Sequence, residues 1–327
     1  MADKPKEPEV WVEKEDVPLL SIDEQIAQLK ERGVTFELCS EDEAKFYLAD
    51  RTYYFKIRSF RTLYDKRVGG DRDGQYINLD FGHLRALASL DRDLRYALLP
   101  LTLDVEHAAR TKLIRNITES PDEDGYGVCA DYIASLNHDE RNRRKGDIAV
   151  LKNDLYCSDL LAKYGKDPAK MPAWVIAELF SFGSLAGFYL FCAKRWGDEA
   201  MEDEHYMLRQ AQFIRNACAH SSNMANGFGA QDDEIEPNVK VEKALAKTGL
   251  SHRVRTSKMK NPRLKQIATL LYLHSHLITK GTSRKRAITD MQALKASMTK
   301  SLEMLSGNDI VRSSLTFLIT LIDNWFV

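Results

Sequence analysis

Leu84, Leu87, Leu90, Leu94 and Leu98 fall three and four residues apart, and nothing else in the 327-residue chain restricts its architecture as much. That spacing puts all five on one face of an α-helix. Pro100 predicts a kink, with the helix resuming through Leu103, Val105 and Leu113. The same period recurs in Ile22, Ile26 and Leu29, in Trp174, Val175, Leu179 and Phe180, and in Ile267, Leu270, Leu271, His274 and Ile278. It returns in Leu294, Met298, Leu302 and Leu305, then in Leu315, Leu318, Ile322 and Trp325. No segment shows the two-residue alternation of a strand, and there is no internal repeat. The chain therefore reads as all-α.

Helix ends are marked as well. Ser21-x-x-Glu24 and Ser40-x-x-Glu43 have the form of capping boxes, in which each side chain satisfies the other residue's free N–H. Gly33 stops the first of these helices. Pro172 sits near another helix start, where its missing N–H costs nothing. A helix from about Asp203 to His220 is ended by Asn223, Asn226, Gly227 and Gly229. Loops are expected at 66–75, 119–128 and 222–239, and 137–146 reads as a polar, basic stretch. Tyr53, Tyr54, Phe55, Phe60 and Tyr64 are interleaved with Arg51, Lys56, Arg58 and Arg61. The pattern reads as core on one face and solvent on the other, with nucleic-acid binding by stacking and charge as the alternative.

The net charge of −1 hides an asymmetry. Residues 1–50 hold 14 Asp/Glu against 6 Lys/Arg, whereas 240–300 hold 15 Lys/Arg against 2 Asp/Glu. This fits either a basic nucleic-acid surface shielded by an acidic arm, or solvated helix faces. The organisation expected is a flexible acidic arm over 1–20, a helical core over 21–226, and a basic helical region over 240–327 packed on the core. Arg253, Arg255, Lys258, Lys260, Arg263 and Lys265 are the candidate RNA-binding residues. Five scattered cysteines without a C-x-x-C argue against a disulfide scaffold or a zinc site. The polar N-terminus carries no secretory signal, and the apolar run from Phe182 to Ala193 is too short to span a bilayer. A cytoplasmic protein without membrane association or cofactor is expected.

Common catalytic loops are missing: there is no Walker A loop, no G-x-G-x-x-G, no H-E-x-x-H and no G-x-S-x-G. His274-x-His276 reads as structural, because residues two apart on a helix do not share a face. What remains is FIRNACAHSSN at 213–223, with four residues between Arg215 and His220. Alone this spacing is weak evidence, since chance yields an Arg-x4-6-His about 1.7 times in such a chain. Its context is specific. Tyr54-Phe55-Lys56-Ile57-Arg58 is followed by Asp91, Leu94, Arg95, Glu106 and Arg110. Then come Trp174, Glu178, Ser181, Phe182, Gly183 and Leu185, and finally Arg215, Asn216, Ala219 and His220. In order and spacing, from about residue 21 to 226, this set resembles the Abi-like abortive-infection proteins of the AbiD and AbiF type, a branch of the HEPN superfamily. The chain departs from the family after His220. Where relatives continue with a second His, an Arg and Trp-Asn, it has Ser221, Asn223 and Ala225, and only Asn226 fits.

The resemblance implies a HEPN-like helical bundle with additional N- and C-terminal helices. It also implies a metal-independent endoribonuclease active in bacterial anti-phage abortive infection, a toxin dormant until infection. Arg215, Asn216, His220 and Glu178 would form its site. Imidazole moves protons near neutral pH, a guanidinium grips phosphate oxygens, and Glu178 either orients Arg215, tunes His220 or makes a structural ion pair. On a regular helix Arg215 and His220 lie about 140° apart. The pair therefore works only if His220 sits at a frayed helix end or if two copies combine. HEPN ribonucleases build composite sites, so a homodimer is expected, with RNA as substrate and a small inhibitory non-coding RNA as a further partner. The competing reading is a non-catalytic RNA-binding or phage-sensing helical protein.

Overall fold

A computed structural model of the chain describes residues 19–233 and 235–327. Of the expected acidic arm, all but residues 19 and 20 lie outside the described residues. Among the described residues there are fifteen α-helices and no strand, only two isolated bridges, Thr35 to Asp80 and Lys66 to Tyr76.

The chain opens with α1 (Ile22–Glu31) and α2 (Glu41–Asp50), each begun by its capping box at Ser21 and Ser40. A short α3 (Tyr54–Arg58) runs into a 3-10 turn at Ser59–Leu63. The aromatic segment divides there. Ile57 and Phe60 are buried, while Tyr53 and Phe55 face solvent.

The organising element is α4 (Phe81–Glu119), 39 residues and so about 58 Å long. Asp80 caps it and also accepts hydrogen bonds from the Thr35 hydroxyl (2.8 Å) and the Glu37 N–H (2.7 Å), tying down the loop between α1 and α2. The five diagnostic leucines are all buried, each such burial being worth about 1.5–3 kcal/mol. The helix continues through Pro100. The carbonyl deprived of its donor is that of Tyr96, a residue on the exposed side of the helix where water reaches. Beyond the proline the buried row is Leu101, Val105, Ala109, Leu113 and Ile117, and Leu103 faces solvent, contrary to the face read from the sequence.

Next come α5 (Gly127–Ser135), α6 (His138–Ala149), α7 (Leu155–Tyr164), α8 (Ala173–Leu179), α9 (Phe182–Trp196) and α10 (Glu199–Ala219). The stretch read as merely polar at 137–146 is thus mostly helix, opened by an Asn137/Glu140 capping box. The C-terminal part holds α11 (Val239–Leu245), α12 (His252–Lys260), α13 (Pro262–Leu277), α14 (Gly281–Met304) and α15 (Asp309–Trp325). Helix α10 packs against α4, α9 and α13, while α14 covers another side of α4 and α15 packs on α13 and α14. Glu204 locks α10 in place, accepting from Lys112 of α4 (2.7 Å) and from the Tyr189 hydroxyl of α9 (2.9 Å). Arg110 of α4 pairs with Glu106 and donates to the Phe180 carbonyl (2.8 Å), fixing the turn between α8 and α9. None of the helices among the described residues is long and apolar enough to cross a membrane.

Candidate active site

The site begins with the way α10 ends. His220 is its C-cap, with φ −89° and ψ 10°, and Ser221 follows at φ +53°. The Ser222 N–H then donates to the Ala217 carbonyl (2.8 Å) and the Ser221 N–H to the Cys218 carbonyl (3.1 Å). This is a Schellman ending with serine where glycine is usual, so the backbone is strained one residue beyond His220. The helix stops at His220, which is exposed. His220 thus stands at a helix end, while its near-helical φ and ψ leave it about 140° around α10 from Arg215. No hydrogen bond joins the two side chains.

Arg215 is half-buried one and a half turns earlier, and its NH1 donates to the Asn216 side-chain oxygen at 3.5 Å. Its Nε is buried without a partner, and no carboxylate pairs with it among the described residues. The terminal nitrogens, of which only NH1 has this one long bond, are the donors left to an incoming anion. Cys218, between the two, is buried and its thiol is pushed up to about 12 by burial, which leaves it protonated and unreactive.

The turn after His220 is held from two distant elements. Asp91, buried on α4, accepts from the Met224 N–H (2.5 Å) and the Ala225 N–H (2.9 Å) and pairs with Arg95 one turn along. Burial pushes its carboxyl up, opposed by the Ala225 N–H, the Arg95 charge and the Met224 N–H. Arg95 reaches the Ser222 carbonyl (3.4 Å). From α3, Lys56 donates to the Ser221 carbonyl, and Asn223 donates to the Ser59 hydroxyl and to the Lys56 carbonyl (3.3 Å). Burial lowers the Lys56 ammonium from its usual value, and the neighbouring Arg95 charge adds to this. Lys56 and Asn223 were not among the site residues expected from the sequence. Lys56 was visible as a basic residue in the aromatic segment that also carries the family resemblance, and no local signal links Asn223 to α3.

The other expected residues are scattered. Glu178 is exposed on α8, where its charge acts on the Cys157 thiol of α7. It makes no hydrogen bond or ion pair with Arg215, Asn216 or His220 in the single chain. The basic set is not uniformly free for a ligand. Lys265 is 3% exposed, held by Asp233 (2.7 Å) and the Ile235 carbonyl (2.6 Å), so it leaves the RNA-binding set: a buried, paired ammonium has no face for a phosphate. Arg255 donates to the Leu250 carbonyl, Lys258 to the Ser313 hydroxyl (2.7 Å), and Arg263 is half-buried against Gln266 (3.0 Å). Arg253 and Lys260 remain exposed. His274 is fully buried beside Asp104 (3.1 Å), and all five cysteines are free.

Compared with known proteins, residues 47–226, more than half of the chain, match the sequence model described as Abi-like protein. The matched stretch runs from the aromatic segment through α4 to the turn after His220, and so includes every residue holding that turn. No curated protein and no solved structure matches the chain.

Proposed function

We propose, from the premise that the chain belongs to the Abi-like protein family and that this implies abortive-infection phage defence, that it is a metal-independent endoribonuclease cleaving RNA with Arg215, Asn216 and His220. The observation that carries the reading is the end of α10: an exposed His220 and, five residues earlier on the same helix, a half-buried guanidinium that has no carboxylate partner among the described residues. The reaction is attack by a ribose 2′-oxygen on the adjacent phosphorus. The P–O5′ bond breaks, leaving a 2′,3′-cyclic phosphate and a 5′-hydroxyl. A base takes the 2′-hydroxyl proton and an acid gives one to the departing 5′-oxygen. Arg215 stabilises the charge that builds on the phosphoryl oxygens, a task suited to its two-pronged donors. Asn216 supplies a neutral amide beside it.

One chain brings one imidazole to this place, while the reaction uses a base and an acid. A second copy supplies the other. The outer face of α10 supports such a pairing: Tyr206, Phe213 and His220 are spaced by seven residues and all exposed. A homodimer in which the two α10 helices run parallel along this stripe brings two His220 side chains together.

The test is a gel assay of purified protein on total RNA in EDTA, with wild type beside His220→Ala. Wild type is expected to yield fragments ending in cyclic phosphate and the variant none, with folding and RNA affinity nearly unchanged. Equal cleavage by both would refute the site. A basic surface acting alone would instead make binding, not cleavage, the readout that Arg253 and Lys260 control.

A further inference from the structure

We propose that the open groove bounded by α2, α3, α4 and α14 binds single-stranded RNA and delivers it to the turn after His220. The fate of the strand rests on the ribonuclease reading above, whereas its binding does not. The groove encloses about 1740 Å³. Three aromatic rings stand along it in water: Phe46 of α2 (57% exposed), Tyr53 before α3 (63%) and Tyr96 of α4 (71%). Apart from Arg51 over one side of Phe46, their neighbours leave these rings largely uncovered, as a surface kept for a ligand would be. The flat face of each ring accepts any unpaired base, and bases inside a duplex are already stacked on one another. The lining thus selects a single strand.

The charges agree with a modest phosphate track. Arg51, whose guanidinium lies 5.9 Å from the Phe46 ring, lines the groove with Lys56, Arg85 and Lys300. One lining carboxylate is already paired: Asp93 is bound by Arg92 (3.1 Å) and by the Ser297 hydroxyl (2.6 Å). The four basic residues therefore face Asp42, Glu43 and Glu303, which leaves the track weakly positive. The groove also joins the site. Lys56 and Arg95 line it and at the same time hold the Ser221 and Ser222 carbonyls, the two that follow His220. A strand following the wall past these two cations arrives at the imidazole. One wall, with Ser297, Lys300 and Glu303, comes from α14 and so from outside the family-matched segment.

The test is fluorescence anisotropy of full-length protein with a short labelled oligouridine and with a blunt RNA duplex of equal length. His220→Ala serves as the parent so that the probe stays intact. The parent is expected to bind the single strand at least about tenfold more tightly than the duplex. Adding Tyr53→Ala and Tyr96→Ala is expected to weaken single-strand binding roughly tenfold or more. Tyr53→Phe with Tyr96→Phe, which keeps both ring faces, is expected to bind like the parent. Both tyrosines are mostly exposed, so their removal empties no core. Undiminished binding by the alanine pair, or equal affinity for the duplex, overturns the proposal. If the alanine pair loses binding while wild type never cleaves RNA, the groove stands and the ribonuclease reading falls. If wild type cleaves and the alanine pair binds normally, the groove falls and the ribonuclease reading stands.

Discussion

Asp91→Ala offers the sharpest test of how the site is held. The carboxylate it removes is 1% exposed and performs three tasks at once: it accepts two backbone N–H groups of the 224–225 turn and neutralises Arg95. Without it, Arg95, whose side chain is only 10% exposed, is a buried charge without a counter-ion, and two buried donors lose their acceptor. Breaking a buried pair from one side costs about 3–5 kcal/mol. Each orphaned donor adds up to about 1–3 kcal/mol where the turn cannot relax toward water. We expect Asp91→Ala to lose at least about 3 kcal/mol. Asp91→Asn keeps an acceptor oxygen in place but loses the charge, so its expected loss is smaller, about 1–3 kcal/mol. Urea unfolding followed by circular dichroism measures both. RNA cleavage measured under conditions where each variant is fully folded should fall as well, because the turn after His220 loses its tie to α4. An Asp91→Ala protein within about 1 kcal/mol of wild type, or equal losses for the two variants, would refute this account.

Two further outcomes follow from the structure. Ser221→Gly should stabilise the protein by about 0.5–1 kcal/mol in the same unfolding assay, since glycine removes the left-handed strain at φ +53° while the carbonyl that Lys56 grips is unchanged; a neutral or destabilising result sinks the strain argument. Stability should also drop as pH falls from about 6.5 toward 5. Burial holds both His205 and His274 below the usual histidine value, so the unfolded chain takes up protons near pH 6.5 that the folded chain refuses. Their contribution is present above that pH and is lost as pH falls through the depressed folded values. His205→Gln should flatten the dependence, measured as urea midpoints across this range, and an unchanged slope would count against it.

The parts of the fold that could be read from sequence were those whose cause lies within one or two turns. Ser21 with Glu24 and Ser40 with Glu43 announce helix starts because both partners of the box sit three residues apart. Asn137 with Glu140 is the same signal, yet α6 was read as a polar stretch. Its only buried residue is Ile148, so no apolar period accompanies the cap. At Pro100 the signal was present but Leu103 was read into the wrong face. The buried row crosses the proline without a shift, from Leu98 to Leu101 and Val105 at spacings of three and four, whereas Leu103 stands five residues from Leu98, about 140° away. In the basic run from Arg253 to Lys265, neighbours in sequence occupy two helices, and the second of them turns Lys265 into the core.

The candidate site divides along the same line. Arg215, Asn216 and His220 belong to one helix end and are legible together. The residues that hold that end belong to α3 and α4, more than a hundred positions earlier, and a single sequence carries no sign of the contact. Asp91 and Arg95 stood in the sequence only as matches to a family pattern, and the structure gives that match a physical content. Less than two turns of α4 carry three separate duties. Leu94 faces the core, Asp91 and Arg95 clamp the turn after His220, and Tyr96 stands in the groove. A helix turn is rigid, so these duties cannot shift independently. The core position fixes the clamp, and the clamp fixes the distance between the groove and the imidazole. The exposed His220 thus sits at a place set by α4, although its own helix supplies the side chain.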